Sequence, residues 1–445
     1  MSTLVGEQET RTIDSEEELY SFFQRFAKPA RDELIGVECE FFGIEKETGK
    51  ALSFSGPRGV EAILSRLAKA FHYEPVTENG RVIALRRAEN WVTLEPGAQV
   101  ELSASPVKTI AEVEGQIQKF AAELREMKHY FPGITWISVG LEPFSRLEEI
   151  SWVPKRRYEL MAEYLRKRGA AAHDMIKRTA TNQVNLDYTN EETAFEELRV
   201  TLAVTSLASA MFAHSCFSEG RPNGYLTRRV QIWKETDSDR AGLLAEFLAP
   251  GRRFRDYVEY LLKMPMIFIV RDGVWIPMEG ISFRRFLREG KDGFRATWAD
   301  FELHLSTAFP EARFKHYLEI RGIDAQRLPL IPSVAAFWKG LLYDDEVRRK
   351  AGELMQSFSA QDILQLHNEV PRFAMKARLG GVPIIELARE LYGLACRGLK
   401  DDCVYLARLN DEILKPGRSP AETLLAKWDG EFGRDPQKLI QYLEV

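Results

Sequence analysis

Four short segments of this chain alternate apolar and polar residues, and on all four the polar positions carry carboxylates or amides. In 36–41 (GVECEF) the strand period of two puts Glu38 and Glu40 on one face and Val37, Cys39 and Phe41 on the other. The stretch 91–102 (WVTLEPGAQVEL) offers Glu95 and, after a Pro-Gly turn, Gln99 and Glu101, opposite Val100 and Leu102. Residues 181–188 (TNQVNLDY) present Gln183, Asn185 and Asp187 opposite Val184 and Leu186. Residues 314–321 (FKHYLEIR) set Tyr317, Glu319 and Arg321 against His316, Leu318 and Ile320.

One explanation is the wet face of antiparallel strands, but such a face mixes Lys, Thr and Glu. Here Glu38, Glu40, Glu95, Glu101 and Glu319 dominate, read as having no lysine on their faces. Like charges across neighbouring strands repel, so this pattern calls for cations. Hard divalent ions with oxygen ligands fit, above all Mg²⁺ carrying a nucleoside triphosphate. Arg321, two residues beyond Glu319, is then placed to hold a transferring phosphoryl group. Further basic residues, Lys155, Arg157, Arg178, Arg228, Arg229 and Arg240, surround these segments as partners for an anionic substrate, with Arg178 expected at the mouth of the strand bearing Gln183.

Around the strands lie helices. Capping boxes at Ser15 with Glu18 and Thr109 with Glu112 start two of them, the second carrying an apolar stripe from Ile110 to Phe131 in steps of three and four. Other alternating runs, 82–85 and 266–276, predict further strands, whereas 335–445 reads as successive helices, one opened by Ser419, Pro420 and Glu422. No linker tract or fixed-period repeat divides the 445 residues. The expectation is one α+β catalytic unit spanning 1–445 with a helical C-terminal layer.

Several function classes are excluded or disfavoured. A net charge of −5 lacks the basic field that nucleic acid binding needs. The polar, acidic start, MSTLVGEQETRTIDSEEELY, does not read as a signal peptide. The most apolar run, 201–217, is short and rich in Ser and Thr, so it predicts a buried helix and no membrane span. Four cysteines at 39, 216, 396 and 403 fit a reducing compartment, read as the cytoplasm. Cys396 and Cys403 fall in one helical pattern, which would separate their Cα atoms by about 10 Å and forbid a disulfide. Seven scattered histidines make no zinc motif, and the Gly43–Gly49 spacing fits a hairpin turn better than a phosphate-binding loop.

The motifs GVECEFFGI, VTLEPGAQVELSASP, VPKRRYELM, KRTATNQVNLDY, EGRPNGYLTRRVQIWKETDSDR, FPEARFKHYLEIRGID and AFWKGLLYDD stand in the order and spacing of the plant-type glutamate-cysteine ligases, a family also found in bacteria, which the chain resembles from about residue 33 onward. The resemblance implies the glutamine synthetase and guanidino kinase fold, a curved antiparallel sheet with helices outside. It also implies ligation of L-glutamate to L-cysteine through a γ-glutamyl phosphate, with ATP as co-substrate and Mg²⁺, or Mn²⁺, as the metal. By similarity Glu38, Glu40, Glu95, Glu101 and Glu319 are metal ligands with Gln183 and Asn185 beside them, Arg321 contacts the γ-phosphate, and Arg229 and Arg178 face the glutamate carboxylate. A monomer or homodimer is expected.

Two departures from the family stand out. Cys39 replaces its usual His, on the face away from Glu38 and Glu40, and the segments 111–122 and 277–295, which carry redox-regulatory cysteines in plant members, have none. The alternatives are a γ-glutamyl ligase with another amine as acceptor, a catalytically dead binding relative and, on the residues alone, a guanidino-type kinase.

Overall fold

In a computed structural model that describes residues 11–445, the alternating segments pair into a nine-stranded sheet. Its strands are β1 (Ile35–Glu45), β2 (Glu74–Glu78), β3 (Arg81–Arg87), β4 (Asn90–Leu94), β5 (Val100–Ser103), β6 (Ile134–Ile137), β7 (Asn182–Leu186), β8 (Ala312–Phe314) and β9 (Leu318–Ile320). The order is β8-β9-β7-β1-β5-β4-β3-β2, with β6 on the far end of β1, and every pairing is antiparallel. The acidic start of the chain lies partly outside the described residues.

Strand β1 is the centre because both its faces find cover. Val37, Cys39 and Phe41 pack into the core, where the Phe41 ring meets Phe120 of the helix Ile110–Tyr130. That helix starts as the sequence predicts, with Thr109 accepting from Glu112 N at 3.2 Å and Glu112 accepting from Thr109 N at 2.9 Å. The helix Glu191–Met211 absorbs most of the apolar run 201–217 and is buried nearly all round, and no helix of the described residues is long and apolar enough to cross a membrane. The Gly43–Gly49 segment forms the expected hairpin, closed by the Glu45 N to Lys50 O bond and the Ile44–Ala51 bridge.

The C-terminal layer is helical, with helices Ile331–Leu342, Asp345–Gln356, Ala360–Phe373, Ile384–Leu399, Pro420–Asp429 and Pro436–Leu443. The first and fourth approach so closely that a Cβ on Gly340 would stand 2.4 Å from Ala395 O, and one on Gly398 2.0 Å from Gly340 O. Two sequence expectations fail here. A two-strand hairpin, Arg378–Leu379 with Val382–Pro383, turns on Gly380 and Gly381, both at positive φ. Cys396 and Cys403 form a disulfide, their Cα atoms 4.7 Å apart. The supposed continuous helix ends at Leu399, Lys400 takes φ 56°, and a 3₁₀ turn, Lys400–Leu406, carries Cys403 back over Cys396.

Candidate active site

Register turns the four acidic segments into one surface. Glu38 lies between Gln183 on β7 and Ser103 on β5, Glu40 lies opposite Glu101, and Asn185 is flanked by Glu319 and Gly36. Thr93 on β4 continues the row beyond Glu101. This face is not wet: Glu38, Glu40, Glu101 and Glu319 are 3%, 6%, 2% and 0% exposed. Helices and loops roof it, leaving a cavity of about 770 Å³ counting its open mouth. A second cavity, about 1540 Å³, lies over the other half of the face and shares Glu38; Lys28, Trp91, Asn185, His316 and Tyr317 line it.

Charge divides unevenly along the face. Glu319 accepts from Arg313 Nε, from Lys315 Nζ at 2.7 Å and from Arg321 at 3.0 Å. Burial alone would raise its carboxyl, but these three cations hold it well below the usual carboxylate range. The view that no lysine shares the acidic faces is therefore corrected, and so is the single strand expected over 314–321: β8 and β9 form a hairpin that turns at 315–317 and brings Lys315 back onto Glu319. Arg321 also donates to Gln183 Oε1 at 2.8 Å, and Asn185 Nδ2 donates to Glu38 Oε1 at 3.1 Å, leaving Asn185 Oδ1 buried and unpartnered.

On the other side the carboxylates face one another. Burial, and then Glu95 and Glu101, push Glu40 well above the ordinary value, against the pull of Arg229. Glu95 is pushed up to about 7 by burial and by Glu101. Glu101 is steadied by hydroxyls, with Thr93 and Ser103 each donating at 2.7 Å, and Glu40 accepts from Thr181 N at 3.0 Å. Burial lowers the nearby Lys155 ammonium to about 8, although Glu95 and Glu101 favour its charge. Among the described residues no set of three or more Asp, Glu, His or Cys side chains converges into a metal site. The donors nonetheless fit a hard cation: Glu40 and Glu95, buried and pushed up by neighbouring carboxylates, offer the oxygens that such an ion would relieve.

The basic residues sort clearly. Arg229 and Arg157 line the first cavity, each with a buried, unpartnered guanidinium N–H. Arg229 reaches it from the helix Arg228–Lys234, donating to Arg321 O at 3.0 Å, and Trp233 of that helix lies under both guanidinium groups, 5.8 Å from each. Arg178 does not line the cavity. It ends the helix Ala172–Arg178 and donates to Asp174 at 3.1 Å, rather than standing at the mouth where the sequence reading expected it. Arg240 is a structural residue, fully buried on Asp237, Thr307 and Pro265, and Arg228 pairs with Glu235. Arg313, Tyr158, Trp233 and Phe309 were missed as site residues. Only Arg313 left a usable signal, a basic residue six before Glu319 across a tight reversal.

Comparison with known proteins agrees with this architecture. Residues 34–438 match the model for glutamate-cysteine ligase family 2. Chloroplastic glutamate-cysteine ligases of Brassica juncea and Arabidopsis thaliana are each 35% identical, covering 96% of this chain and 84% and 82% of their own lengths. A crystal structure of glutamate-cysteine ligase from Francisella tularensis in complex with AMP superposes with a TM-score of 0.53 at 11% identity, over 92% of this chain and 88% of that one, a likeness of fold. The cytoplasmic expectation is corrected: the curated relatives are chloroplastic enzymes, which does not support it. Four cysteines, two of them joined in a disulfide, do not identify a compartment. Family match, length-wide identity and the antiparallel sheet with its helical cover agree that this chain belongs to glutamate-cysteine ligase family 2.

Proposed function

We infer that the buried acidic face is where this ATP-dependent ligase joins the γ-carboxylate of L-glutamate to the amine of L-cysteine. The observation that carries the assignment is the split of charge on one face, with three cations gathered on Glu319 and mutually repelling carboxylates at Glu40, Glu95 and Glu101. A carboxylate is a poor acyl donor. Attack of its oxygen on the γ-phosphorus of ATP expels ADP and gives an acyl phosphate; the cysteine amine then takes the acyl carbon, loses a proton, and phosphate leaves with the former carboxylate oxygen.

In this reading Arg321 holds the transferring phosphoryl group, kept in place by Glu319 and Gln183. Arg229 holds the glutamate carboxylate, and its free N–H supplies the donor. The nucleoside lies in the larger cavity beside Trp91 and Asn185, so the triphosphate crosses Glu38 into the smaller one. Glu38, Glu40, Glu95 and Glu101 would hold Mg²⁺ or Mn²⁺, with Glu319 as a fifth donor now committed to its cations, and the metal would neutralise triphosphate charge. The whole chain acts as one catalytic unit: its last residue, Val445, donates to Trp136 O on β6, and the core runs from Ile13 to Val445.

ADP release measured with L-glutamate and a panel of amines tests the acceptor. Cysteine should give the highest kcat/KM, with α-aminobutyrate accepted more slowly because the amine reacts and the thiol only binds. A rank for cysteine about tenfold below serine, glycine or α-aminobutyrate would remove it as the acceptor.

A further inference from the structure

Behind Arg229 lies a buried carboxylate that touches neither cavity. Asp324 is 1% exposed and continues the chain that carries Glu319 and Arg321. One of its oxygens accepts from His214 N and Ser215 Oγ, both at 2.7 Å, and the other accepts from Thr227 Oγ1 at 3.0 Å. Each hydroxyl donates its hydrogen bond to Asp324, so each turns a lone pair outward, and both lone pairs meet the first turn of the helix Arg228–Lys234. Ser215 Oγ accepts from Arg229 N at 3.1 Å, and Thr227, the N-cap, accepts from Val230 N at 3.5 Å. A hydroxyl free to rotate can point its proton at an N–H and fail as a cap; here a carboxylate fixes both rotors.

We propose that Asp324, acting through Ser215 and Thr227, is the positioning residue that sets Arg229 for glutamate binding. The proposal rests on the reading of Arg229 as the glutamate-carboxylate ligand. Gly140 packs directly against the Asp324 side chain: a Cβ there would stand 2.5 Å from Asp324 Cβ and Cγ. Asp324→Asn keeps the volume but replaces one acceptor by an N–H₂ donor, so one of the two hydroxyl relays must reverse.

The test is steady-state kinetics of full-length Asp324→Asn, Thr227→Val, Thr227→Ser and Arg229→Lys, with L-glutamate and ATP varied in turn. Asp324→Asn and Thr227→Val should each raise the KM for glutamate about tenfold and leave the KM for ATP within about twofold, while Thr227→Ser, which keeps the hydroxyl, restores it. A purely structural role would lower the amount of active enzyme, and with it kcat, without this split. An unchanged glutamate KM in Asp324→Asn, with Arg229→Lys raising it, overturns the proposal and leaves the Arg229 assignment standing. An unchanged KM in Arg229→Lys removes that assignment and the proposal together. Should Asp324→Asn fail to fold, the Thr227 pair decides alone: equal glutamate KM values in Val and Ser overturn the proposal.

Discussion

Arg321 donates to both Gln183 and Glu319 and stacks over Trp233, so its guanidinium is held before any substrate arrives. Such preorganisation is the source of most electrostatic rate enhancement. Arg321→Ala should lower turnover about 100-fold or more at saturating ATP with the fold retained by circular dichroism, and near wild-type turnover would refute its role. Two buried histidines that line neither cavity give a separate residue-level prediction. His214 and His304 are buried, each bonded to a backbone carbonyl at 2.9 Å, and burial lowers them to about 4 and about 3. Their folded values lie below the unfolded one, so between there and about pH 6.5 the unfolded chain binds more protons, and the stability present at neutral pH is lost on acidification. Each steepens the stability profile by up to about 1.4 kcal/mol per pH unit. Urea midpoints of His214→Gln and His304→Gln should therefore converge on wild type as pH falls from 7 towards 4, and a constant difference would contradict this.

The period of two was enough to assign Glu38, Glu40, Glu101 and Glu319 to one side of their strands, because alternation is a local property of the backbone. Which strand lies beside which was not legible. Nothing local says that β7 docks on β1 or that β9 docks on β7, and those contacts bring Arg321 to Gln183. The disulfide was misjudged because a single element was extended past its end, the Ile384–Leu399 helix past Lys400. The disulfide closes a short loop away from both cavities, so by the chain-entropy argument its loss should cost about 2 kcal/mol. Dithiothreitol should lower the urea midpoint of wild type but not of Cys396→Ala/Cys403→Ala, with kcat/KM at 25 °C equal in all samples. A several-fold change of activity on reduction, absent in the double variant, would show that the pair reports to the site.

Over the whole molecule, the fold puts a row of carboxylates under a helical roof, where burying each ion costs several kcal/mol without compensation. The α+β class and the helical C-terminal layer could be read from periodicity and caps, but the roof could not, since it is built from segments as distant as Arg157, Arg229 and Phe309. If cations complete the compensation, removal of divalent metal should abolish ligation and Mg²⁺ or Mn²⁺ should restore it, whereas undiminished turnover in chelator after dialysis would show that protein cations suffice. The central claim is that the glutamate γ-carboxylate is phosphorylated in this site before the amine attacks. Its most direct test supplies L-glutamate labelled with ¹⁸O in the γ-carboxylate, together with ATP and cysteine, and analyses the released phosphate by mass spectrometry. Transfer of one ¹⁸O to each phosphate is the predicted result, and unlabelled phosphate formed alongside the amide would contradict the account.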